Sequence, residues 1–347
     1  MTDLLSMTPE ELSAFVKGLG LPAFRAKQLH GWLLRGEDFA AMTNLPEPLR
    51  AALSEKAAAQ PVAILKSIRS KIDETEKLLY RLSDGNIIEG VVMRYRHGDT
   101  LCVSTQVGCR MGCAFCASTL GGLVRNLTPG ELLGQIVQVD RMLRPEGRRV
   151  HNVVLMGSGE PLDNYENVVK FLRLATDEKG LNLSARGISL STCGLVPGIR
   201  RLADEGIPVT LSVSLHAPDD ETRKILMPVA NAYAIDDILA ACRYYIEKTG
   251  RRVIFEYALA GNVNCDVRHA DLLAQKLRGM QCHVNLIPLN HVQESALEPP
   301  PPGAVEAFLA RLTLRHISAT RRREMGDDIE GACGQLRRRV LEEVNPS

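Results

Sequence analysis

Cys109, Cys113 and Cys116 are the residues of this chain best placed by type and spacing to do chemistry. They follow the apolar run CVSTQV in the pattern C-x3-C-x2-C. If nine cysteines were scattered at random over 347 residues, that pattern would be expected about 0.006 times, so accident is a poor account of it. Three thiolates from one loop can hold three irons of a cubane cluster and leave the fourth iron open, and an open iron is reactive. The alternative is a structural zinc ion, which normally takes four closed ligands in two paired knuckles; no second knuckle appears in the sequence.

The other polar signatures sit where strand-like runs end. HNVVLM is followed by Gly157-Ser158-Gly159-Glu160-Pro161, GISLS by Thr192-Cys193-Gly194, VTLSV by Ser214-Leu215-His216, and HVNLIPL by Asn290. In a parallel α/β barrel all of these positions face the carboxyl-terminal rim, where active sites form. Gly159 and Glu160 can bring a backbone and a carboxylate to an ammonium group, Ser191 offers a hydroxyl, and Asn290 can read a ribose or adenine edge. Singly each is weak, because glycine-rich stretches are usually turns and a lone His216 is more often a satisfied polar residue than a catalyst. The shared rim position behind the cysteines makes Gly159, Glu160, Ser191, Ser214, Leu215, His216 and Asn290 a candidate cofactor-binding set.

The elements that must position these groups follow from local patterns. Thr8, Pro9 and Glu11 have the form of an N-cap, a first-turn proline and a capping-box acid. Further helices are expected around Phe24 to Arg35 and Glu47 to Ala58, completing a small helical unit over residues 1–60. From 61 to 98 the pattern is β-like, with turns at Asp84-Gly85-Asn86 and Gly98-Asp99, and reads as a β-hairpin extension. Beyond it, six apolar runs (CVSTQV, HNVVLM, GISLST, VTLSVSL, RVIFEYAL, HVNLIPL) alternate with helical segments. That alternation is the mark of βαβ units on a parallel sheet over 99–320, an α/β partial (β/α)6 barrel, with a last segment at 321–347.

Composition is that of a globular chain, 45% apolar and 24% charged. The net charge of +1 gives no global reason to expect a polyanion, so any nucleic-acid site must come from local clustering. An odd number of irregularly spaced cysteines does not suit a secreted disulfide framework. No apolar run approaches the roughly 20 residues of a membrane span, and the start, MTDLLSMTPEELSAF, has no secretory pattern; a cytoplasmic protein is expected.

The cysteine loop, with aromatic Phe115 before Cys116, resembles the defining motif of the radical S-adenosylmethionine superfamily. The resemblance implies a [4Fe-4S] cluster on Cys109, Cys113 and Cys116. It also implies S-adenosyl-L-methionine on the open iron, reduced by one electron to yield a 5′-deoxyadenosyl radical. Over about Leu79 to Leu336 the chain closely resembles the bacterial dual-specificity ribosomal and transfer RNA adenine-C2 methyltransferases. The stretches that carry this are TLCVSTQVGC, MGSGEPL, SLHAP, NLIPLN and GDDIEGACGQ. Ser158 stands where that family often has methionine, and Leu289 where it often has tryptophan; neither change removes a backbone group expected to bind cofactor.

C2 of adenine is an electrophilic carbon, which excludes ordinary methyl displacement and gives a reason for radicals. By resemblance Cys333 carries the methyl group to C2, Cys102 resolves the covalent link to RNA by forming a disulfide, and Glu89 accepts the proton. Read from the residues alone, Cys102 is a buried strand cysteine and Cys333 a small residue in a terminal turn; the ACGQ context favours the catalytic reading of Cys333. The resemblance further implies 23S ribosomal RNA and transfer RNA as partners, an electron donor such as flavodoxin, and a monomer. Arg315, Arg321, Arg322 and Arg323, with Arg337, Arg338 and Arg339 beyond, form a basic stretch that either contacts phosphate or is a solvated face. The related adenine-C8 methyltransferases and a non-catalytic, metal-stabilised RNA-binding protein are the competing readings.

Overall fold

The computed structural model describes residues 1–290, 295–323 and 325–336. After the short β1 (Thr2–Asp3), α1 (Pro9–Gly18) starts at the expected capping box: Glu11 N–H donates to the Thr8 hydroxyl at 3.2 Å, and Thr8 N–H to the Glu11 carboxylate at 2.8 Å. α2 (Phe24–Leu33) and α3 (Glu47–Lys56) follow. The third helix stops before its expected end because Ala57 and Ala58 form β2 (Ala57–Ala58), pairing in parallel with β1.

β3 (Val62–Arg69), β4 (Glu76–Leu82), β5 (Ile87–Tyr95) and β6 (Gly98–Cys102) form an antiparallel meander. The Asp84-Gly85-Asn86 turn is present, with Gly85 at φ 85° and the Asp84 carboxylate accepting from Asn86 N–H at 3.0 Å. β6 also pairs in parallel with a later strand, so the meander is continuous with the main sheet, and the expected division at 98/99 falls inside β6, after its first residue.

The run CVSTQV is not one strand. β6 ends at Cys102, and β7 (Gln106–Gly108) leaves the sheet to pair with β8 (Leu123–Asn126) around the cysteine loop. Then come α4 (Pro129–Leu143), β9 (Val150–Leu155), α5 (Tyr165–Thr176), β10 (Ile188–Thr192), α6 (Val196–Asp204), β11 (Thr210–Ser214), α7 (Asp220–Leu226) and α8 (Ile235–Thr249). β12 (Val253–Leu259), α9 (Val267–Leu277), β13 (Cys282–Pro288), α10 (Ala304–Leu314) and β14 (Ala319–Arg321) complete the order.

The ten-stranded sheet runs β14-β13-β12-β11-β10-β9-β6-β5-β4-β3. From β6 to β14 every pairing is parallel and each strand lies beside its predecessor in that series. Such an order never reverses, which separates it from a doubly wound sheet. It curls, since residues from β9 through β13 line one common cavity. The result is the expected partial barrel of six β/α units, followed by β14.

Alternation along the barrel strands explains both the core and the site. Leu211, Val213, Phe255, Tyr257, Val284 and Leu286 are buried in the main hydrophobic core. Fully burying one such side chain contributes about 1.5–3 kcal/mol. The alternate positions Ser191, Ser212, Ser214, Glu256 and Asn285 are polar and lie on the other face. A barrel interior with that lining is suited to holding a polar ligand.

Candidate active site

The cysteine loop is shaped by close backbone approaches. Gly108, at φ 75°, lies so near Gly122 that a Cβ would sit 1.9 Å from the Gly122 carbonyl oxygen; Cys109 N–H donates to that same oxygen at 3.1 Å. Cys116 N–H donates to Cys113 O at 3.1 Å, and Ala114 N–H reaches Leu226 O at 2.9 Å. Cys109, Cys113 and Cys116 all line one cavity of about 980 Å³, its open mouth included. Burial raises all three thiols, Cys109 to about 12. Becoming thiolate ligands there requires a compensating cation such as an iron cluster.

Gly159, Glu160, Ser191, Ser214, His216 and Asn290 line the same cavity. Glu160 is buried and accepts from Cys193 N–H at 2.7 Å and Leu162 N–H at 3.0 Å. Burial nonetheless raises its carboxyl above the usual range. Gly159 (φ 106°) packs so tightly on Gln106 that a Cβ would come within 2.6 Å of it. A carboxylate fixed in that way suits an ammonium group.

His216 is buried at φ 57°, its ring edge-on to Phe115 with centroids 4.8 Å apart. Its Nδ1 accepts from Ala258 N–H at 2.9 Å, so the ring is neutral with its proton on Nε2. Burial, and secondarily Arg223, push it down to about 3. Leu215 does not reach the cavity: its side chain is in the core, and its N–H and carbonyl are bonded to Glu256 O and Arg223. The left-handed turn at His216 directs the imidazole, and not Leu215, to the ligand side.

The carboxy-terminal segment folds back onto the cysteine loop. Ala117 N–H donates to Gly334 O at 2.7 Å, the Ser118 hydroxyl to Leu336 O at 2.5 Å, and the Asn290 amide to Cys333 O at 3.0 Å. Cys333 thereby lines the cavity with the three loop cysteines. Cys102, at the end of β6, is buried beside Met325 and Leu336, which flank that segment. Burial first, then the neighbouring Cys333, push its thiol up to about 12. Glu89 is buried on β5, outside the cavity lining, and its carboxylate lies 3.3 Å from the Lys77 ammonium.

Sequence reasoning missed several residues. Glu256 lines the cavity with an Oε2 that has no hydrogen-bond partner among the described residues, and Arg322 stands 3.9 Å from it, facing Cys333. Nothing local marks Glu256 beyond its even spacing with Ile254 and Ala258. Among the described residues the basic stretch is not one solvated or phosphate-facing surface. Arg315 pairs with Asp271 at 2.8 Å, Arg321 with Glu306 at 2.6 Å, Arg322 enters the cavity, and Arg323 lines a smaller recess beside Tyr95. Arg337, Arg338 and Arg339 lie outside the described residues.

An open α/β barrel with three cysteines in the loop after its first parallel strand is the architecture of a radical S-adenosylmethionine enzyme. The model of the radical SAM superfamily matches residues 103–273, and that of the ribosomal RNA large subunit methyltransferase N-terminal domain matches residues 2–59. Proteins named "Probable dual-specificity RNA methyltransferase RlmN" are similar along the whole chain. That of Lachnospira eligens is 49% identical, covering 100% of this chain and 99% of its own; that of Clostridium perfringens strain 13 is 51% identical, covering 98% of both. The crystal structure of a radical SAM methyltransferase from Sphaerobacter thermophilus superposes with a TM-score of 0.94 at 44% identity, covering 97% of this chain and 99% of that one. The chain belongs to the RlmN family of radical S-adenosylmethionine RNA methyltransferases.

Its cofactors are accordingly a [4Fe-4S] cluster and S-adenosylmethionine. Among the described residues no three Cys, His, Asp or Glu side chains are grouped as ligands of a single ion. A cubane instead places one thiolate on each of three irons, and three thiols around one cavity, Cys109 buried and Cys113 and Cys116 half-buried, suit it.

Proposed function

We propose that the protein methylates C2 of adenosine in 23S ribosomal RNA and in transfer RNA, there on the adenosine 3′ of the anticodon. The route runs through S-methylated Cys333 and consumes two S-adenosylmethionine. The observation that carries this reading is the return of the Cys333 segment onto the cysteine loop, fixed by the Ala117 to Gly334 bond at 2.7 Å.

When bound, the cluster and S-adenosylmethionine supply the methyl group and the one-electron steps. Cys109, Cys113 and Cys116 hold the cluster; Glu160 and the backbone at Gly159 receive the ammonium group, with Ser191, Ser214, His216 and Asn290 around the rest. Cys333 takes the methyl group on sulfur and gives up its thiol proton. That carbon would give up one hydrogen atom to the radical chemistry the cofactors supply and join adenine C2; Glu89 accepts the proton C2 loses, and the surplus electron would return to the same one-electron couple. Cys102 then attacks the Cys333 sulfur: a sulfur–sulfur bond forms, the sulfur–carbon bond breaks, and the electron pair left on carbon takes up a proton to complete the methyl group. Convergence of two thiols and an acid on one carbon is the positional requirement this chemistry sets.

We place the protein in the cytoplasm as a monomer, reduced by a donor such as flavodoxin. Among the described residues no helix is long and apolar enough to cross a membrane. Mass spectrometry of ribosomal and transfer RNA from cells lacking the protein tests the reading. Loss of 2-methyladenosine is expected; loss of 8-methyladenosine would reassign the carbon. Unchanged RNA, with a colourless zinc protein on purification, would leave a metal-stabilised RNA binder.

A further inference from the structure

Arg223 is fully buried on α7, yet among the described residues no carboxylate forms an ion pair with it. Its Nη2 donates to Cys193 O at 2.6 Å and its Nε to Leu215 O at 3.1 Å, with longer contacts to Ser214 O at 3.4 Å and Tyr233 O at 3.5 Å. Carbonyl dipoles satisfy its donors but do not cancel a full charge, and a buried uncompensated cation is costly. Some anion should complete the site.

Its surroundings indicate which anion. α7 is stitched to the cysteine loop by the Ala114 to Leu226 bond at 2.9 Å, and Leu226 and Met227 pack with Met111, Cys113 and Phe115. Cys193, whose carbonyl the guanidinium holds, packs in the same cluster as Cys113 and lines the same cavity as the three loop cysteines. His216 beside it is neutral, and Arg322 is turned to Cys333 and Glu256. Arg223 is therefore the fixed positive charge behind the cluster-binding loop.

Three thiolates on an oxidised four-iron core of charge 2+ carry a net charge of −1. One electron from an external donor makes it −2. We propose that Arg223 is the built-in counter-charge of the cluster site: it stabilises the doubly negative form more than the singly negative one and so makes the cluster easier to reduce. This rests on the reading that Cys109, Cys113 and Cys116 hold the cluster, and it adds a residue that touches neither iron nor substrate but sets the reduction potential.

The test is an EPR-monitored redox titration of the full-length protein, reconstituted anaerobically and without S-adenosylmethionine. Arg223→Gln should shift the midpoint to more negative potential by about 59 mV, a tenfold change in the reduced-to-oxidised ratio for one electron. Arg223→Lys, which keeps the charge and loses the forked hydrogen bonds, should stay near wild type. Asp220 is the carboxylate whose charge acts on Arg223, and it accepts from Ile235 N–H at 2.8 Å. Asp220→Asn keeps an acceptor there while removing the negative charge, and should move the potential the opposite way even if Arg223→Gln fails to fold. Equal shifts in Arg223→Gln and Arg223→Lys would show that the hydrogen bonds matter and not the charge, overturning the proposal. So would an unmoved potential in both Arg223→Gln and Asp220→Asn. A wild-type protein that binds no four-iron cluster would instead sink the cofactor reading beneath it.

Discussion

The backbone N–H of Ala117, next to Cys116, donates to the carbonyl of Gly334, next to Cys333, at 2.7 Å. That bond joins the proposed cluster loop to the proposed methyl carrier through main chain alone, so their separation does not depend on a flexible side chain. Gly334 (φ 85°) allows the approach, since a Cβ would stand 2.9 Å from Phe115 O. Holding reacting groups within such limits is how an enzyme gains from proximity.

The two thiols proposed to act on the RNA, Cys333 and Cys102, should separate by phenotype. Cys333→Ala removes the proposed methyl carrier and should abolish methylation while iron and sulfide content stay at wild-type level. Cys102→Ala leaves the proposed carrier without the proposed resolving thiol, so RNA should accumulate covalently on the protein, read as a shifted band on denaturing gels. Free turnover by Cys102→Ala would remove the resolving role.

Gly108→Ala tests the loop's geometry. The added Cβ meets Gly122 O at 1.9 Å, and φ 75° disfavours any side chain. Strain of this kind costs about 1–3 kcal/mol, and steric overlap with backbone adds to it. Thermal melting should show a lower midpoint, and the variant should incorporate less iron. Unchanged iron content and melting would mean that the Gly108 to Gly122 approach is not needed.

Much of this arrangement is legible in the sequence because it is local. The Thr8 to Glu11 capping box, the Asp84 to Asn86 turn and the period-two strands each announce themselves within a few residues. Rim groups such as Glu160 and Ser214 follow from where strands end. Leu215 groups with its neighbours in sequence because a three-residue motif does not reveal the left-handed turn at His216. The basic run misleads for another reason: acids elsewhere in the chain, Asp271 and Glu306, engage Arg315 and Arg321, and the chain path turns Arg322 inward. Arg223 and Lys77 carry no motif at all, since a buried cation is recognised only from what surrounds it.

His216 makes stability pH-dependent with a definite sign. Its folded value is pushed down to about 3 from an ordinary 6.5, so below 6.5 the unfolded chain takes up a proton that the folded protein refuses. Stability present above pH 6.5 is therefore lost as pH falls from there towards 3, by about 2 kcal/mol at pH 5. Asparagine tolerates the left-handed backbone, so denaturant melts of His216→Asn should lose less stability between pH 7 and pH 5 than wild type. Parallel losses would place the acid sensitivity elsewhere.

Arg315 should contribute little to RNA binding despite its place in the basic run. Its guanidinium is held by Asp271 at 2.8 Å, together with Arg311. Each phosphate that a side chain neutralises adds about 0.7–0.9 to the steepness with which log affinity falls against log salt. Arg315→Gln should leave that slope unchanged in filter-binding assays over a salt series. A slope shallower by the share of one phosphate would show that the ion pair opens to RNA.

Asn290 distinguishes a ligand-reading residue from one that positions the thiol. Its place after a strand suggests that it reads a ribose or adenine edge, yet its amide donates to Cys333 O at 3.0 Å. Losing a hydrogen bond of this kind costs about 1 kcal/mol, or roughly a fivefold change in how often the Cys333 segment opens. Asn290→Ala should therefore speed alkylation of Cys333 by about that factor in the absence of S-adenosylmethionine. Alkylation of Cys102 and Cys333 is resolved by peptide mass spectrometry, which keeps the two thiols apart. If Cys333 reacts at the wild-type rate while S-adenosylmethionine binds more weakly, Asn290 serves the cofactor and leaves the thiol to the Ala117 to Gly334 bond. If both change, the one amide links the bound cofactor to the position of the thiol proposed to accept its methyl group.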